Sequence, residues 1–194
     1  MSREPTMHSP ISSDRPTDPL RHVRRTSRLM VWACWALILL LPAALVGYWA
    51  VAGGEQLAGH ANLPASAIGA PLQPWQRLAG ALVMGLPLAL LLVGLWQAKR
   101  CFEQFAQGRV FTEQATELLR RFAGWVAAAA LAAIVASAAT SVLLTLHNPP
   151  GLRHLALGIG SDHLFTFFFA GLVWLMAAVI GQGQALAEEN ERFV

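Results

Sequence analysis

Four long stretches of this 194-residue sequence are apolar and free of charged residues, and they constrain its fold more than any other feature. They cover about residues 29–51, 78–98, 122–146 and 164–186. A helix needs roughly 20 apolar residues to cross the hydrocarbon core of a bilayer, because each residue adds about 1.5 Å. The sequence therefore predicts an all-α fold, in which residues 29–194 form an integral membrane bundle of four transmembrane helices.

The charged residues are few and are confined to short segments between these stretches. They make up 13% of the chain, whereas a soluble domain usually carries about 25%. Of the 25 charged residues, 21 lie within residues 1–28, 99–121 and 188–192. This distribution excludes an ordinary soluble domain and a wholly disordered chain, which would be rich in charge throughout.

The positions of the basic residues predict an orientation. With four spans, both termini and the connector at residues 99–121 lie on one side of the membrane, and that side holds 12 of the 14 Lys and Arg residues. The positive-inside bias then places both termini in the cytoplasm. The chain has 13 Arg and one Lys, and with its abundant Ala and Gly this usage is typical of a GC-rich genome. We therefore expect a multi-pass protein of a bacterial cytoplasmic (inner) membrane.

Residues 1–28 are predicted to form a flexible basic cytoplasmic tail. Four prolines interrupt its first 20 residues, and prolines disfavour helix formation. The segment from Arg21 to Arg28 then meets the first apolar stretch, where we expect it to contact anionic lipid headgroups. The net charge of +3 does not indicate nucleic-acid binding, because the basic residues flank apolar stretches and no nucleic-acid-binding motif is present.

The connector between the second and third spans is predicted to be an amphipathic cytoplasmic segment at the membrane surface. Gly108 is suited to ending the helical extension of the second span, and Thr112 is suited to capping the next helix. Phe111 begins a set of apolar residues at helical spacing. We interpret Gly108, Phe111 and Thr112 as a motif of this connector.

The same side of the membrane brings further charged residues close to the connector. The four-span topology places Arg120 and Arg121 near the plane of Glu188 and Glu189, which follow the last span. Exposed ion pairs contribute only about 0–1 kcal/mol each, so a simple solvated surface is one interpretation. The other is a connector-and-tail platform that recognises a protein partner.

Small residues recur every four positions in two of the spans. The second span carries Ala81, Gly85 and Ala89, and the third carries a longer set: Ala133, Ser137, Ser141 and Thr145. Such faces allow membrane helices to approach closely, so we predict helix packing at both. The hydroxyl groups of the third span leave open a second interpretation, a polar lining for a solute path.

No residue pattern predicts catalysis, a cofactor or a bound metal. Four histidines, His60, His147, His154 and His163, fall on the predicted outer side, but their spacing matches no ligand motif. The serines of the third span lack a nearby base that could activate them. We therefore expect a protein that is not an enzyme.

Three segments of the sequence resemble a known family. Residues 105–112, Phe-Ala-Gln-Gly-Arg-Val-Phe-Thr, and residues 118–124, Leu-Leu-Arg-Arg-Phe-Ala-Gly, are similar to the bacterial family catalogued as domain of unknown function 2975, as is the ending Gln184 to Asn190. The resemblance covers residues 76–194. It implies a small bacterial membrane protein with four spans, and no catalytic residues. Members are often encoded beside a small helix-turn-helix regulator, which implies a sensory or regulatory role.

Two functions follow as hypotheses. The first is a non-enzymatic regulatory or partner-binding membrane component, acting on a protein partner or as a homo-oligomer. The alternative is a small transporter or channel subunit that uses the hydroxyl face of the third span.

Overall fold

Five helices account for most of the chain in a computed structural model. The structure describes residues 20–61, 63–64, 73–109, 112–146, 148, 156 and 158–191, with backbone only for residues 20–22, 60 and 187–191. The helices are α1 (Leu20–Val51), α2 (Gly54–His60), α3 (Pro74–Ala106), α4 (Glu113–Thr145) and α5 (Ser161–Glu191). Over the described residues there is no β-strand.

Four of these helices, α1, α3, α4 and α5, are long and apolar enough to cross a membrane. This confirms the predicted all-α fold with four membrane-spanning helices. Three predicted spans lie inside longer helices, and the span predicted at residues 122–146 ends one residue beyond α4. The helices α3 and α4 have 33 residues each. A helix of that length is roughly 50 Å long, whereas the hydrocarbon core is about 30 Å thick. Several turns of each helix therefore extend beyond the core.

The long helices pack in chain order. α1 packs on α3, α3 on α4 and α4 on α5, and the described residues show no comparable packing between α1 and α5. The four helices thus form an open row with α1 and α5 at its edges. In α4, 39% of the most apolar segment is buried, against 6–11% in the other three. The interior of the protein is therefore centred on α4, and the outer faces of the edge helices are left for lipid.

Buried positions on α3 recur every seven residues at Gly80, Pro87, Gly94 and Cys101. This spacing keeps one seam of a helix facing its neighbours and is typical of left-handed membrane bundles. The closest approach is at Gly80, where an added Cβ atom would overlap the indole ring of Trp49 on α1. Glycine at this position lets α1 and α3 meet across a buried tryptophan.

The short helix α2 lies between the first two predicted spans, in a segment for which the sequence predicts no span. Gly53 precedes this helix, and its N–H donates to Oε1 of Gln56 at 3.3 Å. The apolar side of α2, with Leu57 and Ala58, is fully buried against Trp49 of α1 and Leu144 of α4. Burial of two or three side chains stabilises a helix too short to form by itself.

We call the end of the row where α3 ends and α4 begins the charged end. The N-terminus of α1 and the C-terminus of α5 lie at this same end, because the long helices alternate in direction. Residues 101–106 continue α3 and residues 113–121 belong to α4. The connector is therefore built largely from the ends of two spanning helices, and its predicted amphipathic position on the membrane surface stays a prediction.

Candidate functional site

The turn at the charged end is organised by Gly108. This residue has φ +83°, a left-handed conformation that other L-residues adopt only with strain. The turn is closed by backbone bonds: the N–H of Gly108 donates to the carbonyl of Phe105 at 3.0 Å, and that of Arg109 donates to the carbonyl of Gln104 at 3.0 Å. A Cβ atom on Gly108 would lie 2.9 Å from Nη2 of Arg24. The basic start of α1 thus lies directly against the turn.

Thr112 begins α4 and ties it to the end of α3. Its Oγ1 accepts a hydrogen bond from the N–H of Ala115 at 3.2 Å, which is the N-cap geometry. The same hydroxyl donates to Oε1 of Gln104 on α3 at 3.2 Å. One turn further into the protein, the thiol of Cys101 donates to the carbonyl of Ala115 at 3.6 Å. These contacts fix the C-terminal end of α3 against the N-terminal end of α4.

Lys99 lies between two tryptophan rings where α1 meets α3. Its Nζ is 4.4 Å from the ring centroid of Trp96 and 5.1 Å from that of Trp35, and the two rings are in edge contact. The same atom is 2.9 Å from Oε1 of Glu103. Lys99 is only 8% exposed, so its charge is held by the rings and the carboxylate rather than by water.

The sequence analysis did not predict this arrangement. We call Lys99, Trp96, Trp35 and Glu103 together the Lys99 cage. The signal was local: Trp96 and Glu103 lie three residues before and four residues after Lys99, so all three share one face of a helix. Trp35 comes from α1, and its place in the cage depends on the register between two helices. That register was not predictable from either helix alone.

A second cation lies on a tryptophan where α4 meets α5. The guanidinium carbon of Arg120 is 5.2 Å from the ring centroid of Trp174. Arg121, its neighbour in the chain, instead pairs with Glu117 at 2.8 Å. The two arginines that the sequence grouped together therefore have different partners.

The Lys99 cage and the Arg120–Trp174 pair lie at a similar height along the row. An added Cβ atom on Gly94 would be 3.2 Å from Cβ of Trp125, and Cys101 contacts Ala115. These two contacts place Lys99 and Arg120 within about one helical turn of each other. Tryptophans and basic residues at one level are typical of a membrane–water interface.

Two clefts open at the charged end, one on each side of α4. The α3–α4 cleft has a volume of about 550 Å³ and is lined mainly by charged and amide side chains, among them Arg100, Gln107, Glu113 and Gln114. The α4–α5 cleft has a volume of about 720 Å³, and Arg120, Gly181 and Gln184 contribute to its walls. Glu113, Glu117 and Arg121 line both clefts.

The two predicted packing faces, one on α3 and one on α4, differ in how deeply they are buried. On α3, Ala81 and Gly85 are half-buried and Ala89 is exposed. A Cβ atom added at Gly85 would meet no other atom within 4 Å among the described residues. On α4, Ala133 is half-buried, whereas Ser137, Ser141 and Thr145 are buried. That these two faces drive helix association stays a prediction.

Two of the four buried hydroxyls of α4 bond to backbone groups. Ser141 donates to the carbonyl of Ala138 at 2.7 Å and accepts from the N–H of Ala156 at 3.0 Å. Thr145 donates to the carbonyl of Ser141 at 2.9 Å. Thr140, which the sequence reading did not select, is 1% exposed, and its hydroxyl and that of Ser137 find no partner among the described residues.

Three of the residues predicted for the connector motif and the connector-and-tail platform lie outside the described side chains. Phe111 lies outside the described residues, and the side chains of Glu188 and Glu189 lie outside them as well, although the backbone of α5 continues through Glu191. The expected proximity of these carboxylates to Arg120 and Arg121 therefore stays a prediction.

Comparison with known proteins gives one match. The model of a family described as "Protein of unknown function (DUF2975)" matches residues 55–194. No curated protein and no solved structure matches the chain. The match confirms the resemblance seen in the connector and the ending, and it extends that resemblance to nearly all of α2.

Proposed function

The chain belongs to the DUF2975 family of unknown function, and on that premise we propose that it is a non-enzymatic membrane component that binds a protein partner at its charged end. The observation that carries the proposal is the α3–α4 cleft. It lies at the charged end, where the helices extend past their apolar stretches, and it is lined by polar residues of both helices.

The charges of this cleft favour a polar partner. Glu103 is held by Lys99 and Glu117 by Arg121. Arg100 and Glu113 form no ion pair within the described part of the chain, and both are exposed. A partner surface that carries an acidic and a basic group would pair with both, and such complementarity sets specificity and orientation more than affinity.

The orientation of the protein is part of the same proposal. We infer that the charged end faces the cytoplasm of a bacterial cell, with both termini inside, because 12 of the 14 Lys and Arg residues belong to that side. A partner at this cleft would then be a cytosolic protein, the cytosolic part of a membrane protein, or a second copy of this chain.

The alternative of a transporter or channel has less support. Its solute path would run along the hydroxyl face of α4. The hydroxyls of Ser141 and Thr145, however, form hydrogen bonds with backbone groups of this chain. The bond from the N–H of Ala156 to the hydroxyl of Ser141 also joins Ala156 to α4. These contacts support a structural role for the hydroxyl face.

Site-specific photocrosslinking in native membranes tests the proposal. A photoreactive residue at Gln114, which is exposed and lines the α3–α4 cleft, should give a discrete protein adduct. The matched control is Val135 of the same helix, which is 68% exposed on an apolar face and should give no such adduct. A product of twice the chain mass would identify a second copy as the partner.

Charge variants make the test specific. Arg100→Gln and Glu113→Gln should each reduce the Gln114 adduct at least fivefold, because each removes one group offered to the partner. Glu55→Gln, at the opposite end in α2, is the matched control and should leave it unchanged. Equal adducts at Gln114 and Val135, or an adduct insensitive to both cleft variants, would contradict the proposal.

A further inference from the structure

The α4–α5 cleft offers a cation at its membrane end. Arg120 is exposed at the surface, its guanidinium lies over Trp174, and no carboxylate pairs with it among the described side chains. Of the two acidic residues in the cleft walls, Glu117 is already held by Arg121 at 2.8 Å. Glu113 lies about two helical turns further toward the charged end. Among the described side chains, the charges around Arg120 therefore favour an anion.

The position of Arg120 along the row is that of a lipid headgroup. It lies within about one turn of Lys99 and the tryptophans of the Lys99 cage, as the contacts of Gly94 and Cys101 show. Trp174 is 49% exposed on α5, an edge helix of the open row. Arg120 and Trp174 therefore meet at an exposed helix edge, at the level of the other interfacial residues. Phospholipid phosphates and glycerol groups occupy this level of a membrane.

The cleft walls leave room and offer a second donor. On the α5 side they consist largely of small residues, Ala177, Ala178, Gly181 and Ala185. The side-chain nitrogen of Gln184 is shielded from solvent and has no hydrogen-bond partner among the described residues. A buried donor without an acceptor is costly, and a ligand rich in acceptor oxygens would satisfy it.

We propose that the α4–α5 cleft is a binding site for an anionic phospholipid of the leaflet at the charged end. Arg120 binds the lipid phosphate through its paired N–H donors, and Trp174 packs against the glycerol and upper acyl region. The small residues of α5 admit the headgroup, whose oxygen atoms accept from Gln184. This site lies on the other side of α4 from the α3–α4 cleft, with which it shares Glu113, Glu117 and Arg121, and lipid binding there does not depend on a protein partner.

Lipid retention by the purified full-length protein tests the proposal. Native mass spectrometry, after equilibration with equal amounts of phosphatidylglycerol and phosphatidylcholine, should show one phosphatidylglycerol retained in preference. Arg120→Gln should weaken its apparent affinity about tenfold, and Arg120→Lys should give an intermediate loss, because lysine keeps the charge but not the paired donors. Arg109→Gln, which removes an exposed arginine at the charged end that lines neither cleft, is the matched control and should change the affinity less than twofold.

Two further experiments distinguish a lipid from a free phosphate ester as the ligand and test the role of Trp174. Soluble glycerol 3-phosphate should not displace the retained lipid at millimolar concentration, and displacement would show a site for a free phosphate ester instead. Trp174→Leu should weaken retention with Arg120 intact, since it removes the ring against which the lipid packs. Equal effects of Arg120→Gln and Arg109→Gln, or equal retention of both lipids, would overturn the proposal.

Discussion

The Lys99 cage should contribute measurably to the packing of α1 on α3. We expect replacement of Lys99 by methionine to separate these helices more readily, because it removes the charge but keeps most of the stem volume. Of the contacts made by Nζ of Lys99, the one with Trp35 joins the two helices, and a desolvated cation–π contact is worth up to about 2 kcal/mol. Methionine recovers part of this through its own contact with the ring, about 0.3–1.5 kcal/mol. We therefore expect a net loss of about 0.5–1.7 kcal/mol.

The chain carries its own reporter for this loss. Cys34 of α1 is 5% exposed and has no disulfide partner, so a maleimide labels it only when α1 moves away from α3. Since about 1.4 kcal/mol corresponds to a factor of ten, Lys99→Met should raise the labelling rate of Cys34 roughly tenfold in mild detergent. Arg100→Met, at the next and exposed position, is the matched control and should leave the rate within twofold.

Double-mutant cycles distinguish the cage from a general loss of packing. Trp35 comes from α1, whereas Trp96 and Glu103 lie on α3 with Lys99 and stay beside it when the helices separate. The coupling of Lys99 in this assay should therefore be largest with Trp35, whose ring centroid is 5.1 Å from Nζ, and small with Trp96 and Glu103. If the effects of Lys99→Met and Trp35→Leu on labelling simply multiplied, the cage would not join the two helices and the reasoning would be refuted.

Two further predictions concern the packing of the row. Gly80→Ala should destabilise the protein by about 1–3 kcal/mol in thermal unfolding in detergent, because the added Cβ would overlap Trp49. Gly85→Ala is the matched control. Its Cβ meets open space, so the substitution should be neutral or stabilising by up to about 1 kcal/mol. Ser141→Ala should cost about 1–3 kcal/mol in the same measurement, because it leaves the N–H of Ala156 without its acceptor. Ser137→Ala, one turn away, should be neutral, since the Ser137 hydroxyl has no partner in the described part of the chain. Equal effects within either pair would contradict these contacts.

The four membrane helices were predictable because the cost of burying charge in a bilayer leaves a plain mark on the sequence. Glu55 and Arg77, two charges between the first and second spans, were left unexplained. Glu55 lies in the first turn of α2, and Arg77 donates to the carbonyl of Trp49 at 3.0 Å near the end of α1. Both roles depend on contacts between segments, which hydropathy does not encode.

The candidate sites were harder to predict for the same reason. The connector motif drew attention to Gly108 and Thr112, whose local geometry follows from residue type. The two clefts arise where the ends of α3, α4 and α5 meet, and their walls combine residues up to 72 positions apart, Glu113 and Ala185 among them. Trp174 gained its role only through its contact with Arg120, which no spacing in either helix indicates.

The orientation of the charged end is the claim on which the proposed function depends most directly, and cysteine labelling in intact cells measures it. Gln107→Cys lies at the charged end and Pro64→Cys near the opposite end, and both positions are exposed. A membrane-impermeant maleimide should label Pro64→Cys in intact cells and Gln107→Cys only after the cytoplasmic membrane is permeabilised. Labelling of Gln107→Cys in intact cells, with Pro64→Cys protected, would place the charged end outside and contradict the account.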